Sequence, residues 1–128
     1  MPRLIAKAED VPFIVMNELA KRKVYMGRNC SFTYNIVKPG PFNPPHSHET
    51  ETQYIFVLTG TMRFMVDGVE VIGSPGDMIT FEPGQAHGGH VIGDEEASSL
   101  DIFVPALAVH EKTAVMLGYK AEEKKAAD

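Results

Sequence analysis

The chain has 128 residues, 44% of them apolar and 23% charged, with a net charge of −5. That length suffices for one domain with a buried core, and the acidic balance disfavours non-specific binding to nucleic acid or an anionic membrane, which needs a basic face. The single cysteine, Cys30, cannot form an intramolecular disulfide, which points to a reducing compartment. The Val11 to Val15 run is too short for a signal-peptide core and follows Glu9 and Asp10. No run approaches the roughly 20 apolar residues of a membrane span, so a cytoplasmic protein is expected.

In chain order, residues 17–23 are expected to form a turn or two of helix. The residues before Met26 read as an edge strand open to a second copy, so a homodimer is expected. Phe32, Tyr34 and Ile36 then alternate with Thr33, Asn35 and Val37 until Pro39-Gly40. Residues 53–59 are nearly all apolar and β-prone, and read as a central strand buried on both faces, ended by Gly60. Residues 62–66 and 69–72 flank Asp67-Gly68, the signature of a hairpin with a type I′ turn. Further strands are expected at 77–82, 87–92 and 100–104, for about eight in all, with Gly- and Pro-rich turns between them. Residues 111–117 read as a short helix with Gly118 as its C′ residue, followed by a charged tail. The chain is expected to be all-β, a sandwich or barrel forming a single domain over 1–128, with its core at about 22–105 and the helix and tail at 106–128.

The residues with the most chemistry lie between positions 40 and 87. His46 and His48 are two apart, so on a strand they project together. Pro44 and Pro45 stiffen the approach to them. Gln53 opens the next strand, and His87 follows the Pro83-Gly84 turn. Three imidazoles and a carboxamide oxygen suit one divalent transition ion, Zn, Ni, Mn or Fe, with positions left open for water or substrate. His90, three residues beyond His87, would face the other way on a strand, and His110 is expected at the surface. Glu49 and Glu51 read as a solvated loop face.

These residues resemble the two motifs of the cupin superfamily. The first reads Gly40, five residues, His46-Ser-His48, four residues, Gln53, six residues, Gly60; the second begins at Gly76 and ends in Glu82-Pro83-Gly84-Gln-Ala-His87, with Glu82 where a Pro is common. The resemblance implies a single-domain antiparallel cupin β-barrel of the jelly-roll type with a short C-terminal helix. The set of His residues with Gln53 in place of the usual Glu is also similar to small cupins that linearise unsaturated uronates. Their late Asp-x-Phe-Ser-Pro stretch corresponds here to Asp101-Ile-Phe103-Val-Pro105, but the Arg that follows in them is absent. That resemblance implies Asp101 as a catalytic acid or base. Phe103, Tyr25 and Arg28 are expected at the substrate, with Arg28 or Arg63 as substitutes for the missing Arg.

With Gln53 every protein ligand is neutral, so a divalent ion keeps its full charge and acts as a stronger Lewis acid toward an anionic, oxygen-rich small molecule. The expected activity is a metal-dependent lyase, isomerase or hydratase. The alternatives are an Fe(II) dioxygenase of a small organic substrate and a non-enzymatic sugar- or ligand-binding cupin.

Overall fold

Strands dominate the chain, as its alternating runs and turn residues require. The computed structural model describes residues 6–117. After a 3₁₀ turn at Ala8–Asp10 come β1 (Ile14–Val15), β2 (Ala20–Met26), β3 (Ser31–Val37), β4 (Thr52–Thr59), β5 (Thr61–Val66), β6 (Val69–Gly73), β7 (Met78–Phe81), β8 (His87–Ile92) and β9 (Ala97–Val104), then helix α1 (Ala108–Leu117). A six-stranded sheet in the order β1-β2-β3-β9-β4-β7 faces a three-stranded sheet in the order β6-β5-β8. Every named strand pair is antiparallel. The architecture is an all-β jelly-roll barrel with one short C-terminal helix.

Directly paired residues on antiparallel strands point the same way, so the inner face of the large sheet is built in rungs. One rung is Met26, Ser31, Phe103, Gln53 and Phe81; the next inward-facing one is Val24, Thr33, Asp101, Ile55 and Ile79. All ten of these residues are buried. A third rung, Arg22, Asn35, Ser99 and Val57, follows. Of these, Ile55, Val57, Ile79 and Phe81 meet Met62, Phe64 and Val91 from the small sheet to form the core. Each such side chain contributes about 1.5–3 kcal/mol on burial. The sheet's polar inner residues, by contrast, gather beside this core and form one wall of a cavity.

The turns obey their residues. Asp67 and Gly68 both adopt positive φ, 49° and 81°, as a type I′ hairpin between β5 and β6 demands. Gly60, at φ 77°, links β4 to β5 where an added Cβ would lie 2.6 Å from the Ala97 Cβ; no larger residue fits there.

Four expectations are corrected. Residues 17–23 are not helical: the Asn17 side chain accepts hydrogen bonds from the Leu19 and Ala20 amides, forming a turn, and β2 begins at Ala20. The edge of β2 is covered in part, because β1 pairs with it at Lys21 and Arg22. β4 is not buried on both faces; Gln53, Ile55 and Val57 point inward and are buried, while Tyr54 and Phe56 are half-buried and Leu58 is exposed. Finally, α1 starts at Ala108, earlier than expected, and packs against β2. That docking buries His110 completely instead of leaving it at the surface. Gly118 and the tail lie outside the described residues.

Candidate metal centre

Two loops are clasped together at the barrel end by backbone pairing. The His46 amide donates to the His87 carbonyl at 2.9 Å, and the His87 amide donates back to His46 at 2.8 Å. Such a reciprocal pair places both side chains on one face. The Gly84 amide adds a bond to the His48 carbonyl at 2.8 Å. His48, two residues beyond His46, joins the same face. The three rings stand 4.5–5.4 Å apart between centroids. One ring nitrogen from each of His46, His48 and His87 lies within 4.8 Å of the others.

Hairpin β5–β6 holds the His87 loop in place. The Asp67 carboxylate accepts from the Ala86 amide and from Gln85 Nε2, both at 3.1 Å, and the Asp67 amide donates to the Ala86 carbonyl at 2.9 Å. His87 donates from Nδ1 to the Gln85 carbonyl at 3.0 Å, which leaves Nε2 as the lone-pair nitrogen. Phe81 stacks on the His87 ring at 4.0 Å, and Phe103 meets the His48 ring edge-on at 5.6 Å.

Two buried atoms have no hydrogen-bond partner here: His87 Nε2 and Gln53 Oε1. Gln53 Nε2 donates to Asp101 Oδ2 at 3.1 Å. A carboxylate only accepts, so this bond fixes the carboxamide with its nitrogen toward Asp101 and its oxygen free. An unpaired buried acceptor costs about 1–3 kcal/mol, and a cation is the partner that two such acceptors share. The residues therefore fit a divalent ion, with His46, His48 and His87 able to hold it. Ligation also needs neutral imidazoles. Burial pushes His87 down to about 4; the Gln85 carbonyl opposes this and the neighbouring His46 and His48 reinforce it. Burial, with His46, also lowers His48, against Glu51 and Gln53.

A cavity of about 380 Å³ opens beside the cluster, lined on its polar side by Arg22, Asn35, Gln53, His87, Ser99 and Asp101 and on its apolar side by Ile55, Met62 and Phe64. Asp101 is buried and accepts from Ser99 Oγ at 2.9 Å as well as from Gln53. Burial pushes its carboxyl up to about 6, against the Ser99 and Gln53 bonds and the positive field of Arg22.

The family model for the cupin domain matches residues 34–103, which hold the whole cluster and Asp101. This chain belongs to the cupin family. A germin-like protein, subfamily 2 member 1, of Arabidopsis thaliana is 36% identical over 70 residues, covering 51% of this chain and 32% of that protein. The cupin thus spans about a third of the length of that relative. Among solved structures, KdgF from Halomonas sp. is similar with a TM-score of 0.72 and 20% identity over 80% of this cupin and 93% of that chain. A predicted oxalate decarboxylase from Thermotoga maritima has a TM-score of 0.71 and 16% identity, over 80% and 99%. At these identities the structural matches establish the fold alone.

Of the residues singled out in the sequence, this cupin brings His46, His48, Gln53, His87, Asp101 and Phe103 together in one cluster. Tyr25 is half-buried and Arg28 is exposed near the β2–β3 turn; neither lines the cavity. Arg63 is paired with Glu70 on the small sheet. His90 faces away from His87, as expected, and pairs its Nδ1 with the Gly40 carbonyl at 3.0 Å against Phe42. Two residues escaped the sequence. Arg22 enters the cavity from β2, and His110 hydrogen-bonds Ser31 Oγ at 2.8 Å and packs on Phe103. The alternation Arg22, Val24, Met26 carried the signal for Arg22.

Proposed function

We propose that this cupin is a mononuclear metal enzyme that moves a proton on a small, anionic, oxygen-rich substrate, as a lyase, isomerase or hydratase. The observation that carries the reading is the convergence of three imidazoles and the unpaired Gln53 Oε1 beside a cavity that also holds Arg22 and Asp101. His46, His48 and His87 hold the ion and Gln53 supplies a neutral oxygen to it. When bound, a divalent Zn, Ni, Mn or Fe ion would polarise a carbonyl or hydroxyl oxygen of the substrate.

Asp101 is the acid or base. Its carboxyl lies in the same cavity, one inward rung from Gln53, and Gln53 and Ser99 orient its two oxygens. A proton held at Asp101 Oδ would be passed to, or taken from, a substrate carbon or oxygen in the cavity. Phe103 packs the His48 ring from the side and keeps water from that flank. The neutral ligand set favours Lewis-acid over redox chemistry.

The test is elemental analysis of protein purified without chelator, followed by turnover of uronates and keto acids by wild type and Asp101→Asn. The reading expects about one equivalent of metal in both proteins and a loss of about 10²–10⁴ in turnover in the variant. Full activity in the variant sinks the proton-transfer role, and oxygen uptake with bound iron moves the assignment to a dioxygenase.

We also propose a homodimer through the outer face of the six-stranded sheet. The outward rungs are strongly apolar: Phe32, Ile102 and Tyr54 in one, Tyr34, Leu100 and Phe56 in the next. Val104 and Met78 on the same face are 44% and 60% exposed. An apolar face of this kind can match itself under a two-fold axis, which makes a second copy its simplest cover.

A further inference from the structure

Arg22 is a half-buried cation on the inner face of a barrel, and no carboxylate among the described residues forms an ion pair with it. Its Nε is buried without a hydrogen-bond partner, and the one ion pair among the described residues is Arg63 with Glu70. Burial lowers the guanidinium from its ordinary value, and the Asp101 charge partly restores it. Asp101 is nearby, but its oxygens are taken by Gln53 and Ser99. Asn35, the direct neighbour of Arg22 across the strands, spends its Nδ2 on Thr33 and Ser99. An anion entering the cavity would supply the partner that this half-buried guanidinium lacks.

The position of Arg22 says what that anion is attached to. The Arg22–Asn35–Ser99 rung lies four residues along β9 from the Phe103–Gln53 rung, with Asp101 between them. Four residues of strand span about 13 Å between Cα atoms, and the Arg side chain shortens the gap. One molecule in the cavity can therefore touch Arg22 at one end, the imidazole cluster at the other, and pass Asp101 midway. A planar guanidinium matches a carboxylate bidentately. A phosphate, with its second charge, would be repelled by Asp101 and would find one cation only.

We propose that Arg22 is the specificity-determining residue of the cavity and binds the carboxylate of a small hydroxylated or oxo acid whose other oxygens reach the His46, His48 and His87 cluster. The assignment rests on the metal-enzyme reading for the far end of the molecule, but not for the carboxylate end. Arg22 takes the place of the Arg that the sequence lacks after Pro105.

The experiment is calorimetric titration of zinc-loaded protein with D-glucuronate against D-glucose, glycolate against ethylene glycol, and inorganic phosphate. At least one of the two acids binds wild type about tenfold more tightly than its neutral counterpart. Arg22→Gln reduces that preference below about twofold, and Arg22→Lys keeps part of it. Zinc affinity is the same in all three proteins. Arg22→Met, which removes the unpaired charge, raises Tm in the absence of ligand by roughly 3–8 °C. A preference that survives in Arg22→Gln, no preference in wild type, tighter binding of phosphate than of both acids, or a lowered Tm in Arg22→Met each overturns the proposal. Failure to take up zinc, with the Arg22-dependent preference intact, overturns the metal reading and leaves Arg22 in its role.

Discussion

Gln53 and Asp101 form a directed pair: the carboxamide nitrogen serves the carboxylate at 3.1 Å, and so the carboxamide oxygen is the atom left for a cation. A glutamate at position 53 could not make this bond while both groups were charged. It would set two carboxylates in contact, and one would have to keep its proton. Gln53→Glu is therefore expected to destabilise the metal-free protein by about 1–3 kcal/mol at pH 7. Adding Asp101→Asn should recover most of that loss. Urea denaturation of the two single variants and the double variant measures the coupling; additive effects would show that the pair does not act as a unit.

The imidazoles should divide sharply in their hold on metal. His87→Ala removes the buried nitrogen and is expected to weaken zinc binding by at least about 100-fold. His90→Ala, on the opposite face of β8 and engaged with the Gly40 carbonyl, should leave affinity within about threefold. Competition with a chromophoric chelator reads both.

Asp67 braces the loop that carries His87 without touching the imidazole cluster. Asp67→Gly keeps the positive φ of the hairpin and removes the carboxylate that holds the Gln85 and Ala86 groups. A loss of about 1–2 kcal/mol in stability is expected, together with roughly tenfold weaker zinc binding. Unchanged zinc affinity would mean that the His46–His87 backbone bridge alone fixes the loop.

His110 makes stability depend on pH. Burial, with the positive fields of Arg22 and His48, lowers its imidazole to about 4, against an ordinary value of 6.5. Above pH 6.5 both folded and unfolded forms carry it neutral, and its contribution is fully present. As pH falls from 6.5 toward 4 the unfolded chain binds the proton first, so stability is lost, by up to about 3 kcal/mol. His48 and His87 act in the same direction, so the informative quantity is the difference between wild type and His110→Gln. Urea midpoints of the chelator-treated proteins between pH 7 and 4.5 should converge as pH falls. Parallel curves would rule out this titration.

The dimer is checked by size-exclusion chromatography with light scattering. The expected mass is twice the 14.1 kDa of the chain. Met78→Glu with Val104→Glu should yield a monomer that still folds, since both side chains face outward. A monomeric wild type at about 50 μM refutes the interface.

The parts of the molecule that were legible in the sequence are those whose signals are local. His46 and His48 share a face because two residues make one strand period, and Asp67-Gly68 makes its turn from its own φ angles. Pairing across strands leaves no such local mark. Arg22 joins Asn35 and Ser99 only through register over β2, β3 and β9, and a basic run, Lys21-Arg22-Lys23, hides that its middle member turns inward. His110 depends on where a helix docks, which its own weak apolar stripe does not determine. Residues 53–59 misled because apolar side chains on an exposed sheet face look, in sequence, like buried ones.

The ladder of inward rungs also bears on how such a barrel changes under selection. Gln53 and Asp101 occupy two neighbouring rungs, and Arg22, Asn35 and Ser99 a third. On the proposed function, substitutions confined to the third rung would alter which acid is accepted while leaving the imidazole cluster and Asp101 in place. An insertion or deletion in β9 has the opposite effect, because a one-residue slip turns Asp101 and Phe103 outward together. Lineages descended from this chain should thus diversify by point substitution along β2 and β3 and tolerate length changes only in the loops.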